Sequence, residues 1–555
     1  MRAGTDTASA TSTPAAPAAP PPTAPPAPSA RRRRSGRPPF HLVLPALIAA
    51  AAAGLPLVYL VVRAAEAPER AIDLLWSAST AQVVANTAVL VALVVTGALL
   101  VGVPMAWLTT RTDLPGRRTW ALLGALPLVI PSYVATYAYI AALGPGGAVE
   151  STLGLTLPTI YGLGGATFVL VLVSYPYVML TVRGALVGID PGLEEVSRSL
   201  GHNVSQTLRR VTLPLLRPAI GAGSLLIALY VLSDFGAVSL LRFDSFTRMI
   251  YTSYRAGFDR TGAVVLALLL VAFTVALLVV EARVRGRIAG HRVGTGVRRQ
   301  PRTVPLGRWR WPALAFVTVV VGLSLVLPVG VLLYWLVRGV TAGEPLRLAS
   351  ETWVAAWNSV RASGLAALVA VALALPVGVL SVRYRSRATA ALERATYLGY
   401  ALPGIVIALA LVFIGARWAG PLYQTLAMLV GAYVVLFLPQ AVGAVRASVL
   451  QVPPSVEEAA QGLGEPGWRV LFRVTTPLVR PGMLAGGALV FLTAMKELPA
   501  TLLLGPTGDR TLATAIWNAT SEAFFARAAA PALVLVLISG IPMAILLRRR
   551  HGLGA

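Results

Sequence analysis

Glu457-Glu458-Ala459-Ala460-Gln461-Gly462-Leu463-Gly464, then nine residues, then Val474-Thr475-Thr476-Pro477, decides how this chain is read, because it occurs twice. The other copy runs Glu194-Glu195-Val196-Ser197-Arg198-Ser199-Leu200-Gly201, nine residues, Val211-Thr212-Leu213-Pro214. Aligned without a gap from Glu194 to Pro218 and from Glu457 to Pro481, the copies lie 263 residues apart and share 12 of 25 residues. Duplicated apolar helices drift freely as long as they stay apolar. A polar loop that has not drifted is expected to touch something.

The surrounding chain is built for lipid. Of its 555 residues 56% are hydrophobic and 12% charged, where a soluble domain carries about 25% charged residues. Apolar stretches of roughly 20 residues, the length that spans a bilayer, occur twelve times: 40–62, 86–110, 119–142, 165–189, 218–240, 262–282, 311–338, 358–381, 395–416, 424–449, 481–503 and 526–547. The net charge of +25 does not point to nucleic acid, since the arginines collect in short segments at alternate span ends. That is the positive-inside pattern, which sets orientation. Segments 111–118, 283–310 and 382–394, both repeated loops and Arg548-Arg549-Arg550 fall on the side of the N-terminus. Segments 63–85, 143–164, 339–357, 417–423 and 504–525 carry few basic residues each. Both termini are therefore expected in the cytoplasm. With no cysteine, disulfides and thiolate metal sites are excluded.

Residues 1–38, rich in Ala, Pro and Thr and ending near Arg31-Arg32-Arg33-Arg34, read as a disordered cytosolic tail. Residues 39–282 and 311–550 read as two repeats of six spans, joined by an Arg-rich linker, 283–310. Asn86, Pro104, Arg111 and Pro131 match Asn358, Pro376, Arg383 and Pro403 at an offset of 272; Pro176 and Arg183 match Pro439 and Arg446 at 263. Six spans per half give both halves the same orientation. The expected fold is all-α and polytopic, two parallel repeats about an axis along the membrane normal.

Each loop reads as a helix–turn–helix along the cytosolic face. Pro191 and Pro453-Pro454 suit a helix start, and Ser455 with Glu458 has capping-box spacing. The acidic pairs lie where a helix N-terminus favours negative charge. Gly201 and Gly464 suit a left-handed helix end. A second short helix is expected to stop at Pro214 or Pro477.

Glu-Ala-Ala, three residues, Gly, nine residues, Ile-x-Leu-Pro is the signature loop of ATP-binding-cassette importer permeases, and both copies resemble it. They stand as Glu195 to Pro214, with Val196 and Ser197 departing, and as Glu458 to Pro477, with Thr476 in place of Leu. The resemblance implies the type I importer permease fold in a bacterial plasma (inner) membrane. It also implies that each loop docks into a cleft on a separate ATPase, a homodimer that binds the ATP. Substrate is then delivered by an extracytoplasmic binding protein. Glu194, Glu195, Gly201, Pro214, Glu457, Glu458, Gly464 and Pro477 are the coupling candidates. The one lysine, Lys496, belongs to no phosphate-binding Gly-x-x-x-x-Gly-Lys loop. The chain itself is thus expected to bind no cofactor and to be no enzyme.

Ionisable groups inside a membrane default to functional candidates. Asp234 and Glu497 occupy matched positions 263 apart, with Lys496 beside the latter. They line the pathway or hold helices together. Tyr133, Tyr137, Tyr139, Tyr175 and Tyr177 are expected as interfacial anchors. Ser233–Val238 with Phe243–Tyr251, and Met495–Leu504 with Leu512–Trp517, resemble iron(III) importer permeases, a similarity that covers residues 40–550. A hard trivalent cation wants oxygen donors, which the chain offers, although no resident metal site is expected. The alternative within the class is an importer of thiamine, phosphonate or another small solute. The alternative of another class is a secondary transporter, which also has two parallel six-helix halves.

Overall fold

The structure, a computed structural model, describes residues 38–155, 160–255, 257, 259–288, 303–341, 345–384 and 386–552. The expected disordered tail up to residue 37 and residues 289–302 of the linker lie outside the described residues. Among the described residues the architecture is helical, with one isolated bridge, Thr112 to Val304. Sixteen helices carry the argument. In the first half they are α1 (Phe40–Ala65), α2 (Ala78–Arg111), α3 (Ser132–Leu143), α4 (Leu163–Gly188), α5 (Pro191–Ser199), α6 (Leu213–Ser233), α7 (Phe246–Arg255) and α8 (Arg260–Ile288). In the second they are α9 (Leu327–Thr341), α10 (Pro345–Arg383), α11 (Gly404–Trp418), α12 (Leu426–Val449), α13 (Pro454–Gly462), α14 (Thr476–Met495), α15 (Leu512–Ser521) and α16 (Phe525–Gly552).

By length and composition nine helices among the described residues can cross a membrane, and two bent pairs raise the number to eleven. The apolar stretch Phe525–Gly540 of α16 falls where the twelfth span is expected. The bent pairs correct the reading of 119–142 and 395–416 as continuous. Each folds by about a right angle, 96° before α3 and 102° before α11. The cause is Pro131 and Pro403. Proline disfavours helical backbone in the residue before it, and Ile130 and Leu402 are extended, at ψ 118° and 116°.

In each half the second, fourth and fifth spans pack into one trio: α2, α4 and α6, then α10, α12 and α14. The first spans are exchanged. α1 packs on α8 of its own half and crosses to α10 and α11 of the other, with Tyr59 edge-on to Trp418 at 5.5 Å. α9 packs on α16 of its own half and crosses to α3.

The tyrosines expected as interfacial anchors are internal instead. Tyr137 donates to the Phe525 carbonyl (2.5 Å) and Tyr139 to that of Leu323 (2.6 Å), while the Tyr175 hydroxyl lies 3.4 Å from that of Ser324. All three phenols cross between halves. A buried phenol needs a partner, and the neighbouring repeat supplies one.

Candidate functional site: the paired loops and the central cavity

Both loops emerge at one end of the bundle, called here the loop face. In the first, Asp190 caps α5, its carboxylate accepting from the Gly192 amide at 2.9 Å. In the second, α13 begins at Pro454 with Pro453 as its cap. Ser455 is therefore already inside the helix, and the expected capping box does not form. Both helices end alike. Gly201 and Gly464 take φ of +86° and +88°, the left-handed conformation that closes a helix. The next amides turn back onto the last carbonyls, His202 to Ser197 at 3.3 Å and Glu465 to Ala460 at 3.2 Å. The expected stop at Pro214 and Pro477 is also corrected. The chain passes through one π-helical turn, Leu208–Thr212 or Leu471–Thr475, straight into α6 or α14. Those prolines sit in the first helical turn, where a missing N–H costs nothing.

The paired glutamates divide. Glu458 and Glu195 are exposed, beside Leu463 and Leu200 at 87% and 73% exposure. Glu457 is buried and faces inward. It takes a two-point contact from Arg383, the last residue of α10, at 3.1 and 3.2 Å, and the Thr475 hydroxyl donates to it at 3.1 Å. Arg383 also donates to the Val452 carbonyl at 2.9 Å. The first half repeats the clasp more loosely. Thr212 donates to Glu194 at 3.0 Å and Arg111 to the Leu186 carbonyl at 2.9 Å. The Arg111–Glu194 separation there is 3.6 Å, beyond hydrogen-bond range. Arg111 and Arg383 are matched residues of the repeat whose role the sequence left blank. Thr212 and Thr475 were legible only as one of the twelve identities.

The second site lies between the halves. A cavity of about 290 Å³ is lined by Tyr133, Tyr177, Tyr230, Asp234, Lys496 and Glu497, among others from both repeats. The fifth spans break here, and the acidic residues start the short helices that follow. Asp234 accepts from the Ala237 amide at 2.9 Å and Glu497 from that of Ala500 at 3.3 Å. Each carboxylate also meets the start of the helix behind the third-span break. Ser132 lies beside Asp234 in the cavity wall, and a Cβ at Gly404 would fall 2.5 Å from Glu497. Helix N-termini favour negative charge, which explains why carboxylates survive in an apolar bundle. Lys496 reaches across the halves to the Leu128 carbonyl at 2.8 Å. Among the described residues no group of three or more His, Cys, Asp or Glu side chains is placed to hold a metal.

The chain matches the family described as binding-protein-dependent transport system inner membrane component twice, over residues 98–290 and 370–550. It is 37% identical to the Fe(3+)-transport system permease protein FbpB 2 of Haemophilus influenzae over 92% of this chain and 98% of that protein. It is 26% identical to the ferric transport system permease protein FbpB of Actinobacillus pleuropneumoniae, covering 85% of this chain and 72% of that one. A shorter stretch, 24% of this chain and 60% of the relative, is 32% identical to the molybdenum transport system permease protein ModB of Escherichia coli. With helical repeats, paired loops and matches over both halves, this multi-pass membrane protein belongs to the binding-protein-dependent transport system inner membrane component family, as a permease with both repeats in one polypeptide.

Proposed function

We propose that this chain is the permease of an ATP-driven importer that carries iron(III) into the cytoplasm of a bacterium. The observation that carries the reading is the 37% identity, over 92% of the chain, to a permease named for Fe(3+) transport. The paired loops on one face support the coupling half of it. The loop face is then cytoplasmic, with both termini on that side of the plasma membrane. An ATPase homodimer binds ATP and grips the exposed edges of α5 and α13 through Glu195, Leu200, Glu458 and Leu463. The half-buried Glu194 and the buried Glu457 hold the loops to their own spans. An extracytoplasmic binding protein delivers iron to the opposite face, and the central cavity with Asp234, Glu497 and Lys496 lies on the route. Oxygen ligands suit a hard trivalent cation in transit.

Uptake of radiolabelled ferric iron, by cells with and without this chain, tests the proposal with thiamine and molybdate as parallel solutes. Loss of iron uptake alone is expected. Unchanged iron uptake in a strain with no other ferric importer overturns the substrate assignment.

A further inference from the structure

One set of repeated contacts belongs neither to the loops nor to the cavity. At the end of α2 away from its loop, Asn86 donates to the Asp244 carbonyl (3.1 Å), and the Phe246 amide donates to the Thr87 hydroxyl (3.2 Å). At the same end of α10, Asn358 donates to the Arg510 carbonyl (3.0 Å), and the Leu512 amide donates to the Ser359 hydroxyl (2.8 Å). These are one contact made twice. They put α7 and α15 in register at an offset of 266, so that Tyr251 is the counterpart of Trp517. The two counterparts are also neighbours, their ring centroids 6.5 Å apart and the planes at 77°. A residue that touches its own counterpart lies at the axis between the halves. Phe235, which lines the cavity, packs on both, at 4.9 Å from Tyr251 and 5.1 Å from Trp517. The three rings close the axis on the side of the cavity away from the loops.

α2 and α10 are therefore fastened at both ends: at the loop face by the arginine clasps, and roughly 36 Å away, at 1.5 Å per residue, to the segments that place Tyr251 and Trp517. Of the two spans joined to each loop through the backbone, α4 and α12 lead into it and pack along α2 and α10. α6 and α14 continue directly from the loops, but their helices end at Ser233 and Met495, beside the cavity.

We propose that α2 and α10 are transmission rods, and that displacement of the loops parts Tyr251 and Trp517 at the far face. Asn86, Thr87, Asn358 and Ser359 are positioning residues for this aromatic seal. The inference rests on the coupling role given to the loops above.

The absence of cysteine makes the test clean. Ser233 lines the cavity, so Ser233→Cys supplies this chain's sole thiol. The complete transporter, with ATPase and binding protein, is placed in proteoliposomes, and a charged, membrane-impermeant thiol reagent is added at the far face. Labelling is expected to be slow at rest and at least about fivefold faster during ATP turnover, the lower end of ordinary coupling between sites. Adding Trp517→Ala makes labelling fast in both conditions. Adding Asn86→Ala with Asn358→Ala removes the acceleration while the ATPase still turns over. Thr87→Val with Ser359→Ala, nearly isosteric, carries the same expectation should the asparagine pair fail to insert. Full acceleration in these variants overturns the rods and leaves the coupling loops standing. A resting rate unmoved by Trp517→Ala overturns the seal. A Ser233→Cys parent that ignores ATP overturns the loop assignment, and the rods with it.

Discussion

Two adjacent glutamates of the same chemistry have opposite surroundings, and that split is the sharpest statement at the residue scale. Glu457 is 2% exposed and held by Arg383 and Thr475, while Glu458 is exposed. Removing one partner of a buried ion pair costs about 3–5 kcal/mol because the other charge is stranded. Glu457→Gln or Glu457→Ala should therefore lower the thermal unfolding midpoint of the purified chain. Glu458→Ala should leave the midpoint unchanged and weaken retention of the ATPase on co-purification. The reverse pattern would assign the docking to the wrong member of each pair. The sequence singled out both pairs but not which member turns inward. That depends on an arginine 74 residues away along the chain, at the end of another span.

At the scale of single elements, the loops were legible down to their glycines. Left-handed backbone costs a residue other than glycine about 1–2 kcal/mol, and Gly464 sits at φ +88° with nothing within 4 Å of a Cβ added there. Gly464→Ala should strain the turn and weaken ATPase binding, whereas Gly464→Asn, which tolerates this conformation better, should retain more of it. Equal binding by both variants, measured on the detergent-solubilised complex, would remove backbone strain as the reason for glycine. The breaks in the third spans were less legible. Pro131 and Pro403 stood out as repeat matches, yet proline also occurs inside unbroken helices of this protein, as Pro104 in α2 and Pro376 in α10 do. What separates the cases lies outside the local sequence: at the breaks, the helix starts at Ser132 and Gly404 meet the carboxylates of Asp234 and Glu497. Those carboxylates come from spans about a hundred residues further on.

Across the whole molecule, two repeats could be read from matched residues, but their interlacing could not. Hydropathy locates spans without saying which neighbours they choose, and α1 chooses α10 and α11 of the other half. Fragments 1–288 and 303–555, expressed separately in one cell, should therefore co-purify as a pair without the intervening linker. Recovery of each fragment alone would mean that the exchanged first spans do not suffice to hold the halves together.

Lys496 shows what a single polypeptide permits. Its counterpart in the first repeat is Ser233, and its ammonium bonds Leu128 of the opposite half. In an assembly of two identical subunits, every side chain near the twofold comes in duplicate, so one lysine there would mean two. Fusion lifts that arithmetic. The central cavity carries two carboxylates against one ammonium, an odd charge count that no symmetric dimer can encode. The two walls are thereby free to diverge, and the lone ammonium that bonds the opposite half is one such divergence.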